Sequence, residues 1–436
     1  MHPSGRRSAG AVVRSARQAQ GLTLADLGQR TGYSISQVSR YERGVAPLSD
    51  TTVLRRFAAA LGLPPQIFGL LPDVGEAIGG RAMVGVAAMS APAETRQHLR
   101  PVTQSNETIT LHDGSHDEGT DPMRRRTLLT AAGLSVPLSL LQRLDDALAV
   151  PPQADHAASP AELAQMLRSA RRQFDASELT ALIAALPGLL ASAREAAEQA
   201  DTSTRWVMVS ASYNLATDTL NKIGKKPSAR IAAERAMLYA DRSEDPVAKA
   251  ASARALGMML RIQGRPDLAT AVMSRGVDQL TTTGLRTTSE AATHLRLLCA
   301  RAYTCAWAGD RDRALEGIAE AERAAARIPA MRPFAALYRV DIHYALGDAG
   351  TALHAARSLR TGMFSTPERR GRLHTDLARA WWQWGKPEQA AAELLTAYQH
   401  APAEVQDRPS IRRIAAELVE RHPRTPGVRQ LAVVSG

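Results

Sequence analysis

The sequence predicts an all-α protein: a compact N-terminal bundle of five short helices, a flexible linker, and a long C-terminal α-solenoid. Three observations carry that expectation. The 436 residues are dominated by alanine, leucine and arginine, with aromatics at only 4%, and these are strong helix formers. A glycine followed five residues later by alanine recurs at Gly224 and Ala229, Gly264 and Ala269, Gly309 and Ala314, Gly347 and Ala352, and Gly385 and Ala390, with glycine spacings of 40, 45, 38 and 38. A fixed period of this size is the mark of stacked helical repeats. Between the two helical regions, residues 72–122 lose apolar periodicity and gather Gly, Ala, Ser, Thr, Pro and Asp, the composition of a linker. A chain of this length is expected to hold two or three domains.

The N-terminal domain is expected over residues 8–71. Its first helix runs from about Ala11 to Gln20, with Val13 and Ala16 inward, and Gly21 ends it. Thr23 caps a second helix whose apolar side is Leu24, Ala25 and Leu27. Gly32 permits a turn, and Ser34 caps a third helix ending at Gly44. In that helix Val38 and Tyr41 face inward, which leaves Ile35, Ser36, Gln37, Ser39 and Arg40 outside. A fourth helix, Ser49 to Leu61, offers Val53, Leu54, Phe57, Ala58 and Leu61 to a core, and a closing helix begins between Pro64 and Phe68.

Residues 72–123 form the acidic linker. Its cluster of His112, Asp113, His116 and Asp117 has no scaffold to fix ligand geometry, and no metal or other cofactor is expected. Residues 124–150 are expected to form an apolar connecting helix. The run RRRTLLTAAGLSVPLSLL from Arg124 imitates a twin-arginine export signal, but it is internal and broken by Pro137, with Arg143, Asp145 and Asp146 soon after. It is too short to span a membrane, and packing on the next domain is the better reading. The helical repeat domain is assigned to residues 159–423.

The net charge of +11 and pI near 10.1 fit a polyanionic partner. Nine arginines crowd residues 1–70 against Asp26, Glu42 and Asp50, so the basic excess coincides with the N-terminal bundle. The two cysteines, Cys299 and Cys305, fall about 240° apart around a helix and offer no disulfide framework, which fits a reducing cytoplasm.

The pattern Arg17, Gly21, Leu22, Leu27, Gly32, Val38, Ser39, Glu42, Arg43, Gly44 and Pro47, followed by Ala60 to Leu63, resembles the phage-repressor, or XRE-type, helix-turn-helix family. The resemblance covers about residues 10–70. It implies double-stranded DNA as partner, with the third helix in the major groove. Ser34, Ile35, Ser36, Gln37 and Arg40 are then the expected base readers, since arginine binds guanine bidentately and Ile35 can meet a thymine methyl. Arg14, Arg17, Thr23 and Arg43 are the expected phosphate contacts. Glu42 is read as structural.

The unit LARAWWQWGKPEQAAAELLTAYQHAP, with Leu377, Ala378, Trp381, Gly385, Ala390, Leu394, Ala397 and Pro402, resembles the tetratricopeptide repeat. The likeness extends over roughly residues 200–405. It implies a concave groove lined by the first helix of each pair: Asn214, Asp218 and Asn221; Arg254, Met258 and Arg261; Arg296, Tyr303 and Trp307; Asp341 and Tyr344; Arg379 and Trp382. Such a mixture suits a peptide or small polar effector.

Repressor-type DNA domains joined to such arrays resemble two groups, the peptide-responsive regulators of Gram-positive bacteria and a group of actinobacterial regulators with an internal RRRTLL-type segment. Arg124 to Leu129 and the arginine- and alanine-rich composition place this chain nearer the second. The expected function is a cytoplasmic, homodimeric transcription regulator, with the array dimerising, sensing an effector, or both. The competing expectation is a protein–protein interaction scaffold with DNA binding secondary. No phosphate loop, metal-ligand cluster or nucleophile elbow stands in the sequence, and His294, His343 and His374 lack matched partners, so an enzyme is not expected.

Overall fold

The computed structural model describes residues 8–48, 50–68, 70, 136–150, 152 and 158–435. These residues are helical and contain no strand. The expected linker at 72–123, its histidine–aspartate cluster and the Arg124–Leu129 segment lie outside the described residues.

The N-terminal bundle comprises α1 (Ala9–Ala19), α2 (Leu24–Thr31), α3 (Ile35–Glu42) and α4 (Thr51–Ala60). The expected fifth helix is instead a four-residue 3₁₀ turn, Pro65–Phe68. Val13, Leu27, Val38, Tyr41, Phe57 and Leu61 form its buried core. Tyr33 stacks on Phe57 with centroids 5.6 Å apart, and Tyr41 meets Phe57 edge-on at 5.8 Å. The small domain thus gains core volume from three rings.

The C-terminal region begins with α5 (Leu138–Ala149), α6 (Pro160–Asp175) and α7 (Leu179–Gln199). Five antiparallel pairs follow: α8 (Ser203–Lys222) with α9 (Lys226–Ser243), α10 (Pro246–Ile262) with α11 (Pro266–Thr281), α12 (Thr288–Ala308) with α13 (Arg311–Ala325), α14 (Arg332–Ala345) with α15 (Ala349–Ala355), and α16 (Pro367–Gln383) with α17 (Pro387–His400). Helices α18 (Pro402–Gln406), α19 (Pro409–Arg421) and α20 (Val428–Ser435) close the chain. The helical domain therefore runs past the expected limit at 423, because Val428 and Leu431 bury themselves beside Leu394 and Leu418.

The recurring glycine is the turn of each pair. Gly224, Gly264, Gly309, Gly347 and Gly385 all have φ between 70° and 85°, a left-handed conformation that a Cβ penalises. The recurring alanines, Ala229, Ala269, Ala314, Ala352 and Ala390, are each 0% exposed. Each is the fourth residue of the second helix of its pair. The connecting helix α5 packs on the array as expected, with Leu141, Leu144 and Leu148 against Leu182, Ile183 and Leu186. Helix α7 is long and apolar enough to cross a membrane by length and composition, but Leu182, Ile183, Leu186, Leu189 and Leu190 lie in the core.

The array closes on itself. Lys222, at the end of α8, forms ion pairs with Glu368 of α16 at 2.7 Å and with Glu404 of α18. Its ammonium also lies 4.9 Å from the centre of the Phe174 ring in α6. All three charged side chains are under a tenth exposed. Burial alone would raise the Glu368 carboxyl, but Lys222 and Arg369 hold it below the usual carboxylate range. A β-carbon on Gly224 would strike Pro409, so the turn of the first pair meets the start of α19 directly.

Candidate nucleic-acid interface

The local sequence places α3 by three devices. Thr23 and Asp26 form a reciprocal capping box that starts α2. Gly32, at φ 72°, ends it. Ser34 then caps α3, its Oγ accepting from the Gln37 amide at 3.2 Å. Val38 and Tyr41 anchor the inner side of α3 in the core. Ile35, at 55% exposed, and Ser36 consequently face solvent, as a base-reading helix requires.

Two expected base readers lie elsewhere. Gln37 is buried rather than outside, because the repeat array covers it: its Nε2 donates to the Gln383 carbonyl at 3.5 Å. Arg40 is half-buried. Its Nη2 donates to the Trp384 carbonyl, and its guanidinium carbon lies 5.8 Å from the centre of the Trp384 ring. Burial, and then Arg43 nearby, pull the Arg40 pKa down.

The expected phosphate contacts divide. Arg14 and Arg43 are exposed, and Arg43 reaches back to the Ser39 carbonyl at 3.2 Å. Thr23 is exposed, with its hydroxyl donating to Asp26 at 2.7 Å. Arg17 differs from expectation. Its fork grips Glu42 through Nε at 2.6 Å and Nη2 at 2.8 Å, while Nη1 donates to the Leu22 carbonyl at 2.8 Å. All of this lies beneath the surface, with the Glu42 side chain only 4% exposed. A bidentate, little-exposed pair ties α1 to α3 and engages three of the five guanidinium N–H groups inside the domain. Glu42 is structural, as its sequence context indicated.

The array meets the segments flanking α3 at three successive repeat turns. A β-carbon on Gly32 would come within 2.9 Å of the Gly309 carbonyl oxygen, one on Gly347 would strike the Tyr33 ring at 2.0 Å, and one on Gly385 would strike the Val45 carbonyl at 2.0 Å. Two of the turn glycines, Gly347 and Gly385, therefore also let the N-terminal domain lie close across them, and at Gly309 the missing Cβ of Gly32 does the same. Gln383 Nε2 donates to the Tyr41 hydroxyl and to the Tyr344 carbonyl, both at 3.2 Å. Arg413 pairs with Asp50 at 3.2 Å. No periodicity in the sequence announced this seam, since its hydrogen bonds join residues 342 to 363 positions apart.

Most of the expected groove residues contact one another within the array, and Arg296 and Trp382 do not. Asn214 bonds to Ser252 at 2.9 Å and Asn221 to the Met258 sulfur at 3.5 Å. Arg254 grips Asp218 at 2.9 and 3.1 Å. Arg261 lies over Tyr303 at 4.7 Å, Trp307 meets Tyr303 edge-on, and Arg379 lies over Tyr344 at 4.2 Å while pairing with Asp341 at 3.5 Å. Arg296 is exposed. Trp382 is buried with Leu394, Ile414 and Leu418. It lies three residues past Arg379, on the side of α16 that supports the core. Sequence reasoning missed Tyr338, Arg372 and Asp376. The last two belong with Arg379 on one face of α16, at i, i+4 and i+7, a spacing that was available to be read.

Residues 8–66 match a family model described as a helix-turn-helix domain. No curated protein matches the chain. The chain thus carries a helix-turn-helix domain at its N-terminus, and that domain supports a DNA-binding, regulatory role.

Proposed function

We propose that this protein is a cytoplasmic, sequence-specific transcription regulator of the XRE type, acting as a homodimer, in which a tetratricopeptide-like array responds to an effector and governs the DNA-reading helix. Binding, rather than catalysis, is its activity. Ser34, Ile35, Ser36 and Arg40 read bases, while Arg14 and Arg43 hold phosphates. The observation that carries the reading is the seam between α3 and the array. Arg40 bonds to the Trp384 carbonyl and Gln37 to the Gln383 carbonyl, so a major groove and the array compete for the same side chains. The described arrangement is then the resting form, and an effector or a second protomer favours the form with α3 free.

A dimer predicts two half-sites about 34–36 Å apart, one turn of DNA. The test is a chromatin-binding profile of the tagged protein, followed by titration of the recovered sites against the full chain. Symmetric sites whose sequence preference changes in Arg40→Ala support the proposal. Binding without sequence preference, or preference indifferent to Ser36 and Arg40, defeats it.

A further inference from the structure

A cavity of about 30 Å³ lies within the seam, where the N-terminal bundle meets the array. Tyr41 of α3 and Val53 of α4 wall it on one side, and Tyr344 of α14, Trp382 of α16 and Ile414 of α19 on the other. Asp50 and Arg413, paired at 3.2 Å, also line it and neutralise each other. Two of the lining residues carry a buried polar atom with no hydrogen-bond partner among the described residues. Gln383 is 8% exposed, and its side-chain bonds to Tyr41 and to the Tyr344 carbonyl both use Nε2, which leaves the acceptor Oε1 unmatched. Arg413 uses Nη2 on Asp50, and its donor Nε is unmatched, with Glu417 Oε1 4.0 Å away. One acceptor and one donor, both costly to leave unmet, thus belong to the same small space.

We propose that the seam cavity binds the primary carboxamide of a small uncharged molecule, and that this occupant holds the N-terminal domain on the array. A carboxamide presents an N–H donor and a carbonyl acceptor side by side, the complement of Gln383 Oε1 and Arg413 Nε. Its three heavy atoms suit a space for about two water-sized groups. A carboxylate would repel the Gln383 oxygen, and an ammonium would repel Arg413. The aromatic and aliphatic walls favour an apolar body attached to the amide. Because the walls come from both sides of the seam, the complete site exists only while α3 lies against the array. A ligand stabilises the state that it binds better, so this one opposes the release of Arg40 and Gln37.

The proposal rests on the reading that the seam governs α3, and it adds an input of opposite sign to the effector that frees that helix. Its test uses no DNA, so either can fail alone. The full chain is titrated with benzamide and with acetophenone, which has the same shape but a methyl in place of the NH2, and amide hydrogen exchange is followed over residues 35–42. Benzamide should slow exchange saturably, and acetophenone should act about tenfold more weakly, the loss of one hydrogen bond. Val53→Ile adds a methylene to the wall without touching a polar group, and should abolish the response. Arg413→Lys keeps a positive charge facing Asp50 but removes Nε, and should weaken benzamide about tenfold. Exchange indifferent to benzamide means that the cavity holds water only and overturns the proposal. An equal response to acetophenone, or an undiminished response in Val53→Ile and Arg413→Lys, overturns it as well.

Discussion

Arg40 donates a hydrogen bond to the backbone carbonyl of Trp384 and lies across its indole ring. The side chain expected to bind guanine is thereby held at the turn between α16 and α17, 344 residues away. Trp384 offers one acceptor atom and an indole face, which together are weaker than the two acceptor atoms of a guanine edge. The contact can therefore hold Arg40 in the absence of DNA and still yield to it.

Widening the seam should free the reading helix. Gly385→Ala drives a methyl into the Val45 carbonyl, whereas Gly264→Ala, at a turn of similar φ, meets nothing within 4 Å. Both variants carry the same left-handed strain of about 1–2 kcal/mol. Only Gly385→Ala should raise affinity for operator DNA and expose the N-terminal domain to limited proteolysis. Equal behaviour of the pair in an anisotropy titration would mean that the seam does not restrain DNA binding.

Arg40→Ala should cost roughly 1–3 kcal/mol at one base position and relax preference there. Trp384→Ala keeps Arg40 and removes its ring contact, so affinity should rise while preference is kept. A site-selection experiment on both variants separates the reader from its latch.

Arg14→Ala and Arg43→Ala should each reduce the slope of log affinity against log salt by about one. Arg17→Ala should leave that slope intact. It should instead destabilise the N-terminal domain by about 3–5 kcal/mol, because Glu42 is left buried without its partner. A lowered slope at normal stability for Arg17→Ala would return that arginine to the phosphate contacts.

Lys222→Met should open the array. It leaves Glu368 and Glu404 below the surface with Arg369 and Arg408 as their remaining partners, at a cost of about 1–3 kcal/mol. The double variant Lys222→Met with Glu368→Gln should recover part of the loss. Acid should act in the same direction. The Glu368 pKa is depressed, so its contribution is present above the ordinary carboxylate value and fades as pH falls below it. Circular dichroism melts between pH 3 and pH 7 would check both.

Asp341 shows the opposite sign. Burial, and then Asp376, push it up from 3.8 to about 6 against the pull of Arg372 and Arg379. The folded state holds this proton more tightly than the unfolded chain, so the stability it contributes is complete below the ordinary value and is lost as pH rises through about 6. Asp341→Asn should lose that dependence. Its stability relative to wild type should improve between pH 4 and pH 7 by on the order of 2 kcal/mol. A constant difference across that range would show that Asp341 remains ionised.

The local marks were legible because they answer to local physics. The caps at Thr23 and Ser34, the inward Val38 and Tyr41, and the turn at Gly32 follow from backbone needs within a few residues. The turn glycines and the alanines that follow them were legible for the same reason, repeated five times. Trp382 was misplaced because an aromatic three residues from a groove arginine can lie on either side of that boundary, and helix phase is loose near a repeat turn. Arg17 was misplaced because its competitor, Glu42, is 25 residues away.

The sequence by itself determined the helical architecture, the repeat register, and which side of α3 must be buried in its own small core. Short-range hydrogen bonding and apolar period decide those matters, and both are written along the chain. Only the tertiary structure decided that the array closes through Lys222, Glu368 and Glu404, and that Arg40 rests on Trp384. Those contacts join residues 146 to 344 positions apart. They rest on shape, on bare glycine backbone and on desolvated charge, none of which has a period that a linear reading can detect.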